Sequence, residues 1–436
     1  MSWLNLGSLG GCVALAFLAW AAGGFRRPVP WRTVRGAAVL LAALGAAVFW
    51  LPPARTVLEA INGIVIAVLE AGNAGAEFVF GPLALAPGQT SPSGDRSIGF
   101  VFAARALPAV IFFSALMAAL HHLRAMHLLV RLFARLFHRT MGLSGAEALA
   151  GSANIFVGVE TAMTVRPYLA KMTRSELLTM IGCGMATTAS TTLAIYVLFL
   201  KSSFPLIAGH LVSASVLAIP AAVMTCKLVL PEAERPESLG GVPPLDESFR
   251  EPNLMSALAG GAWDGLKLAA GIATLLIAVL GLVALLDLAL AKGSAPFAGA
   301  IGGPLDLRRA LGWLFTPLAW LLGLERTDLR LAATMLGERA VMTEVVAYRS
   351  LADLAARGAI SPRGLLVMSY ALCGFAHAAS IGIFVGGTAA LAPERRGDLA
   401  AVGLKALVAA TLATLLTGAV AGVFYRGQAG ILGLAP

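Results

Sequence analysis

Apolar runs long enough to cross a bilayer recur along most of this chain, and they restrict it to a helical, membrane-embedded fold. A crossing helix needs about 20 apolar residues. Lipid offers no partner to a backbone amide, so continuous runs of this length are stable there only as helices. Eight such runs lie near 3–23, 33–51, 99–121, 175–200, 206–230, 264–291, 364–388 and 399–425. Composition agrees, with 13% charged residues against about 25% in an average soluble domain. The expected fold is an all-α polytopic membrane protein with eight transmembrane helices. In the first run the charges follow the apolar core rather than precede it, so it reads as a retained helix and not as a signal peptide.

Two further apolar regions, Gly142–Leu169 and Leu305–Tyr348, are interrupted by glycine and polar residues. Each reads as a re-entrant hairpin, since broken backbone at membrane depth is tolerated only inside protein or beside a cavity. Each precedes a spanning run with its own polar break, MATTASTT (Met185–Thr192) and CGFAHAAS (Cys373–Ser380). Hairpin plus broken helix, occurring twice, is the pattern of an inverted repeat around a midplane site. The carboxylates fall there: Glu160 in SANIFVGVET (Ser152–Thr161) and Glu344 in GERAVMTEVVAY (Gly337–Tyr348). Intramembrane carboxylates are expensive and usually line a substrate or ion path. The chain divides into scaffold helices with an interfacial helix (1–120), a first hairpin repeat (121–230), a linker (231–263), a scaffold helix (264–304) and a second hairpin repeat (305–436). Asp264, after Gly260 and Gly261, reads as a helix cap.

The net charge of +9 resides largely in arginines of short loops, which points to membrane orientation and not to nucleic acid. Arg26, Arg27, Arg32 and Arg35, then Arg124, Arg131, Arg135 and Arg139, then Arg395 and Arg396 all fall on one side of an eight-span chain. That side is expected to be cytoplasmic in a bacterial inner membrane, with both termini periplasmic. Arg349, Arg357 and Arg363 oppose the rule. TVLEAINGIVIAVLEAG is amphipathic and suits the interface. Met126–Arg139 alternates Arg and His with large apolar residues at helical spacing. It reads equally as an interfacial helix at an anionic surface or as an ordinary basic helix. Four scattered cysteines show no metal spacing, and no phosphate loop or catalytic triad is present.

SANIFVG, TVRPYLAKMTRSEL, GMATTAS with LAIYV, AWDGLKL, LGWLFTPLAWLLG, EVVAY, ALCGFA, SIGI and LAPERRGDLA occur in this order. Through them the chain resembles the concentrative nucleoside transporter family from about Gly75 to Tyr425. The resemblance implies a homotrimer in the lipid bilayer. A transport domain holding both hairpins would move elevator fashion against a trimerising scaffold, coupled to sodium or protons, with no other cofactor. It also implies residue roles. Asn154, the carbonyl of Val157, Thr187 and Thr188 match sodium positions, and oxygen ligands suit a hard cation. Glu344 matches the ribose-binding glutamate. Phe375 and Ser380 match substrate contacts, and Thr192 falls with Thr161 on the base-like side.

Departures from the family pattern accompany these matches. Val159 stands where the family has the glutamine that reads the base, and Glu160 and Thr161 appear in swapped order. His377 replaces a ribose-contacting asparagine, and Arg339 replaces a lysine. Histidine titrates near neutral pH, so proton coupling stays open beside sodium. Rewriting a polar shell changes specificity strongly. The expected function is inward symport of a nucleoside or related small polar solute. The alternatives are a transporter for another substrate or a solute-binding membrane sensor. An enzyme using Glu160 and His377 lacks any accompanying nucleophile.

Overall fold

Seven of the described helices start where the sequence supplies a capping oxygen, and this punctuation marks the base of each broken crossing. The computed structural model describes residues 2–91, 94, 96–158, 161–243, 251–297, 303–427 and 431–433. Within them every regular element is a helix, apart from an isolated bridge between Thr90 and Arg96. Helix α1 (Trp3–Ala22) is capped by Ser2, and α2 (Trp31–Trp50) and α3 (Pro52–Phe80) follow. After a loop come α4 (Phe102–His122) and α5 (Ala125–Met141). The first hairpin has α6 (Gly145–Ala153) as one arm and the short α7 (Thr161–Thr164) and α8 (Arg166–Leu169) as the other. Helices α9 (Arg174–Ala186) and α10 (Ser190–Leu200) form one broken crossing, and α11 (Ile207–Val229) returns. Ser144 and Thr173 each close a capping box, with Glu147 and Glu176, at the bases of α6 and α9.

The second half repeats this order. Helix α12 (Leu254–Ser294) runs 41 residues from an Asn253 cap. Helix α13 (Leu307–Trp320) is capped by Asp306. The second hairpin is α14 (Arg326–Val341) and α15 (Glu344–Ala356). Helices α16 (Pro362–Ala371) and α17 (Ala378–Leu391) make the second broken crossing, and α18 (Arg396–Phe424) closes the fold. Helices α9 and α11 are buried along nearly their whole length and form the core with the second half of α18, from Leu412, while α12 is exposed along most of its own.

Two boundaries and one cap differ from the sequence reading. The second hairpin begins at Arg326, because Gly323, at positive φ, turns the chain and separates α13 as an amphipathic helix of its own. The linker ends at Asn253, not at 263. Asp264 lies inside α12, where it pairs with Lys267 at 3.0 Å instead of capping. The 364–388 run is two half-helices, on either side of the polar break read in CGFAHAAS.

Eight helices among the described residues are long and apolar enough to cross a membrane, and by length one of them is Arg55–Ala84, within and just beyond α3. The contacts of α3, however, keep both of its ends at one end of the bundle. Asn62 accepts from the amide of Ala208 at the start of α11, and Glu77 lies within electrostatic reach of Arg105 in the first turn of α4. Those two starts are neighbours, since Phe100 and Phe102 meet Phe199 at the end of α10. The same end holds both termini, for Asn5 Nδ2 donates to the carbonyls of Val423 and Tyr425.

Arg363, one of the arginines opposing the orientation rule, sits at this end. It donates to the carbonyls of Gly323 and Gly422, to Asn5 and to Ser8, all within 3.0 Å. Its charge is used in structure, which explains its place outside the orientation pattern.

Candidate functional site

The breaks in the two broken helices cross at the centre of the molecule. Thr187 leaves α9 in extended conformation, and its carbonyl accepts from the amide of Phe375 at 3.3 Å. Cys373 Sγ lies 3.5 Å from Thr188 Oγ1. Polar residues in these breaks free backbone groups from helical pairing and place them in the middle of the fold, as an inverted repeat requires.

One cluster gathers around Glu344. Thr343 caps α15 by accepting from Val346, so Glu344 occupies the first turn, where a negative charge is favoured by the helix dipole. Its Oε1 accepts from Tyr196 OH at 2.9 Å. Its Oε2 stands 3.4 Å from His377 Nε2 and has no hydrogen-bond partner among the described residues, nor has either ring nitrogen of His377. Glu344 is 2% exposed and His377 0%. Unmatched polar atoms this deep are costly, and such groups commonly face a ligand or water. The Phe375 ring meets His377 edge-on at 4.4 Å. Ser380 donates to the His377 carbonyl at 2.6 Å and anchors the start of α17. Thr192 stands one turn before Tyr196 on α10 and donates to Ala189.

A second cluster lies beside it. Thr161 donates to Asn154 Oδ1 at 2.8 Å, and Asn154 Nδ2 donates to the Met180 carbonyl at 3.3 Å. Gly184 faces Asn154 Oδ1, one turn before Thr187 and Thr188. Thr187 Oγ1 donates to the Cys183 carbonyl and receives no hydrogen bond among the described residues. Val157 donates to Ala153, and no hydrogen bond reaches its own carbonyl among the described residues. Ser190 holds the hairpin tip through the Phe156 carbonyl, at 2.8 Å. These are oxygen donors, the chemistry of a hard monovalent cation. Val159 and Glu160 lie outside the described residues.

Two participants were not singled out from sequence. Tyr196 holds Glu344 and stacks on Tyr348 at 4.1 Å. Ser190 closes the first hairpin tip. Arg339 does not pair with Glu344. It is fully buried and donates to the Ala371 carbonyl and Thr414, both at 2.6 Å, tying α14 to the second broken crossing and α18. An open cavity of about 590 Å³ lies elsewhere, between the second hairpin and the pair α4 and α12. Phe100, Leu276, Met335, Val345 and Arg349 are among its lining.

Known families agree with this arrangement. The description "Na+ dependent nucleoside transporter" matches in two parts, N-terminus over residues 10–83 and C-terminus over 210–422, and "Nucleoside recognition" matches 103–203. An uncharacterized transporter of Haemophilus influenzae is 35% identical over 96% of this chain and 97% of its own. The putative nucleoside permease NupX of Escherichia coli is 34% identical over 95% and 97%. CNTnw in an inward-facing substrate-bound state is similar with TM-score 0.86 and 35% identity, covering 97% of this chain and 98% of that one. A CNTnw variant in an outward-facing state gives TM-score 0.88 at 34% identity, with full coverage of both chains. The chain therefore belongs to the Na+-dependent, concentrative nucleoside transporter family, and it is a multi-pass carrier that imports nucleosides by cation symport.

Proposed function

We propose that this chain carries its nucleoside between the two hairpin tips, with the sugar at Glu344 and His377 and sodium in the neighbouring cluster. The carrying observation is the pair of buried, unbonded groups, Glu344 Oε2 and the His377 ring, 3.4 Å apart. A ribose hydroxyl placed there donates to the carboxylate and accepts from the imidazole. Phe375 and Ser380 wall and fix this side. Val159, Glu160, Thr161 and Thr192 serve the base-like side. Sodium takes Asn154 Oδ1, the Val157 carbonyl and the hydroxyls of Thr187 and Thr188.

Thr161 links the two clusters, because its hydroxyl is already on Asn154 Oδ1. A cation that fixes Asn154 therefore also fixes Thr161, and the state that binds sodium better binds the solute better. Three copies associate through the α4 and α12 scaffold. The exposed Ile277, Leu282 and Leu285 of α12 support an apolar face of this kind. With α3 lying along the interface, eight crossings leave both termini in the periplasm.

The test is uptake of radiolabelled uridine and adenosine into proteoliposomes, with sodium and pH gradients imposed separately. Sodium-driven uptake that disappears in Asn154→Ala and Glu344→Gln supports the assignment. Full sodium-dependent uptake by Asn154→Ala sinks the cation site. Binding of nucleoside by folded protein without any uptake would favour a sensor.

A further inference from the structure

Helix α5 divides into three faces, and only one of them packs inside the molecule. Met126, Val130, Ala134, Phe137 and Met141 recur at spacings of three and four, are buried, and pack on α2 and α6. A second stripe, Leu128, Leu129, Leu132 and Leu136, is exposed, with Leu128 at 74% and Leu132 at 60%. A third stripe carries Arg131, Arg135 and Arg139, all exposed, and none meets a carboxylate among the described residues. At 3.6 residues per turn, the arginine and leucine stripes lie roughly a quarter turn apart, both facing away from the packed side. Exposed leucines beside unpaired arginines are the arrangement of a helix lying in a membrane interface, aliphatic face in the acyl region and cations at the headgroups.

We infer that α5 is a binding surface for anionic phospholipid headgroups. Arg131, Arg135 and Arg139 take phosphate oxygens while Leu128, Leu132 and Leu136 enter the acyl boundary. Charge complementarity favours this occupant over a second protein, because the surface presents cations with no anion set against them among the described residues. The placement gives the surface leverage. Helix α5 joins scaffold helix α4 to the first arm of hairpin 1, and Phe133 on it meets Phe156 of that hairpin tip. Guanidinium is suited to phosphate by its planar fork of donors, and each cation near an anionic surface strengthens association about fivefold. The inference stands on α5 alone and does not depend on the residue roles proposed for the substrate site.

The experiment exposes purified full-length protein to mixed phosphatidylcholine and phosphatidylglycerol and counts retained lipids by native mass spectrometry. Wild type is expected to retain phosphatidylglycerol preferentially. The variant carrying Arg131→Gln, Arg135→Gln and Arg139→Gln is expected to lose at least about fivefold of that preference. The corresponding Arg→Lys variant is expected to keep most of it. Melting temperatures equal to wild type show that the exposed substitutions leave the fold intact. No preference in wild type, an undiminished preference in the Gln variant, or its loss in the Lys variant would each overturn the inference.

Discussion

In the proposed site, Tyr196 determines what Glu344 has left to offer a solute. Its hydroxyl occupies Oε1 at 2.9 Å and leaves Oε2 toward His377. Tyr196→Phe keeps the stack on Tyr348 and removes only that donor. A hydrogen bond to a charged group contributes about 1.5–3 kcal/mol, so KM for nucleoside should rise about tenfold or more while the maximal rate is largely kept. Unchanged KM would mean that Tyr196 only packs. His377→Asn restores the amide of the family pattern, and its effect is read as competition among unlabelled nucleosides. A preference identical to wild type would remove His377 from the specificity shell. Glu344 draws attention in the sequence as a carboxylate in apolar surroundings, and His377 as a departure from the family's asparagine. Tyr196 does not, since a tyrosine in LAIYV looks like packing and its partner is 148 residues away in the chain. Arg363 looked like an exception to charge orientation, because its four acceptors come from distant segments.

The elements were legible wherever apolar length or a local cap defined them, and less so where packing did. The broken crossings announced themselves as MATTASTT and CGFAHAAS. The boundary between α13 and the second hairpin did not, because it rests on the positive-φ turn at Gly323, which fits tightly against Ser8 and the Leu4 carbonyl of α1. Helices α4 and α12 show packing as a determinant more plainly. They run antiparallel, with Gly261 against Ala118 and Gly265 against Ser114 and Ile111. Such small residues let membrane helices approach closely, where van der Waals packing supplies the attraction. Gly265→Leu would drive a side chain into the backbone of Ile111. Overpacking of this kind costs about 1–3 kcal/mol. A clear fall in melting temperature is the expected outcome, and a melting temperature equal to wild type would show that α4 and α12 can part without cost.

At the scale of the molecule, the repeat is longer than hairpin plus broken helix. A scaffold helix, an amphipathic helix, a hairpin, a broken crossing and a core helix occur in that order twice, as α4 to α11 and as α12 to α18. Inversion is visible in the ends. The base of α9 meets the base of α18 through Arg174 and Asp398 at 2.6 Å. The base of α16 meets the N-terminus through Arg363 and Asn5 at 3.0 Å, at the opposite end. Eight crossings follow only if α3 returns to the side from which it starts, as the approach of Asn62 to Ala208 and of Glu77 to Arg105 indicates. A length criterion alone would make α3 a crossing. Thiol labelling separates the two. With Cys12→Ser removing the half-exposed native thiol, cysteines are placed at each terminus, at Pro87 after α3, and at Gly240 in the linker. The linker packs on Gly145 at the base of hairpin 1, the arginine-rich end. An impermeant reagent added to intact cells should label both termini and Pro87→Cys, and should reach Gly240→Cys only after permeabilisation. Three crossings separate Pro87 from Gly240 whatever α3 does, so the N-terminus decides: an N-terminal cysteine reached only after permeabilisation, while Pro87→Cys and the C-terminus label in intact cells, would make α3 a ninth crossing and place the two termini on opposite sides.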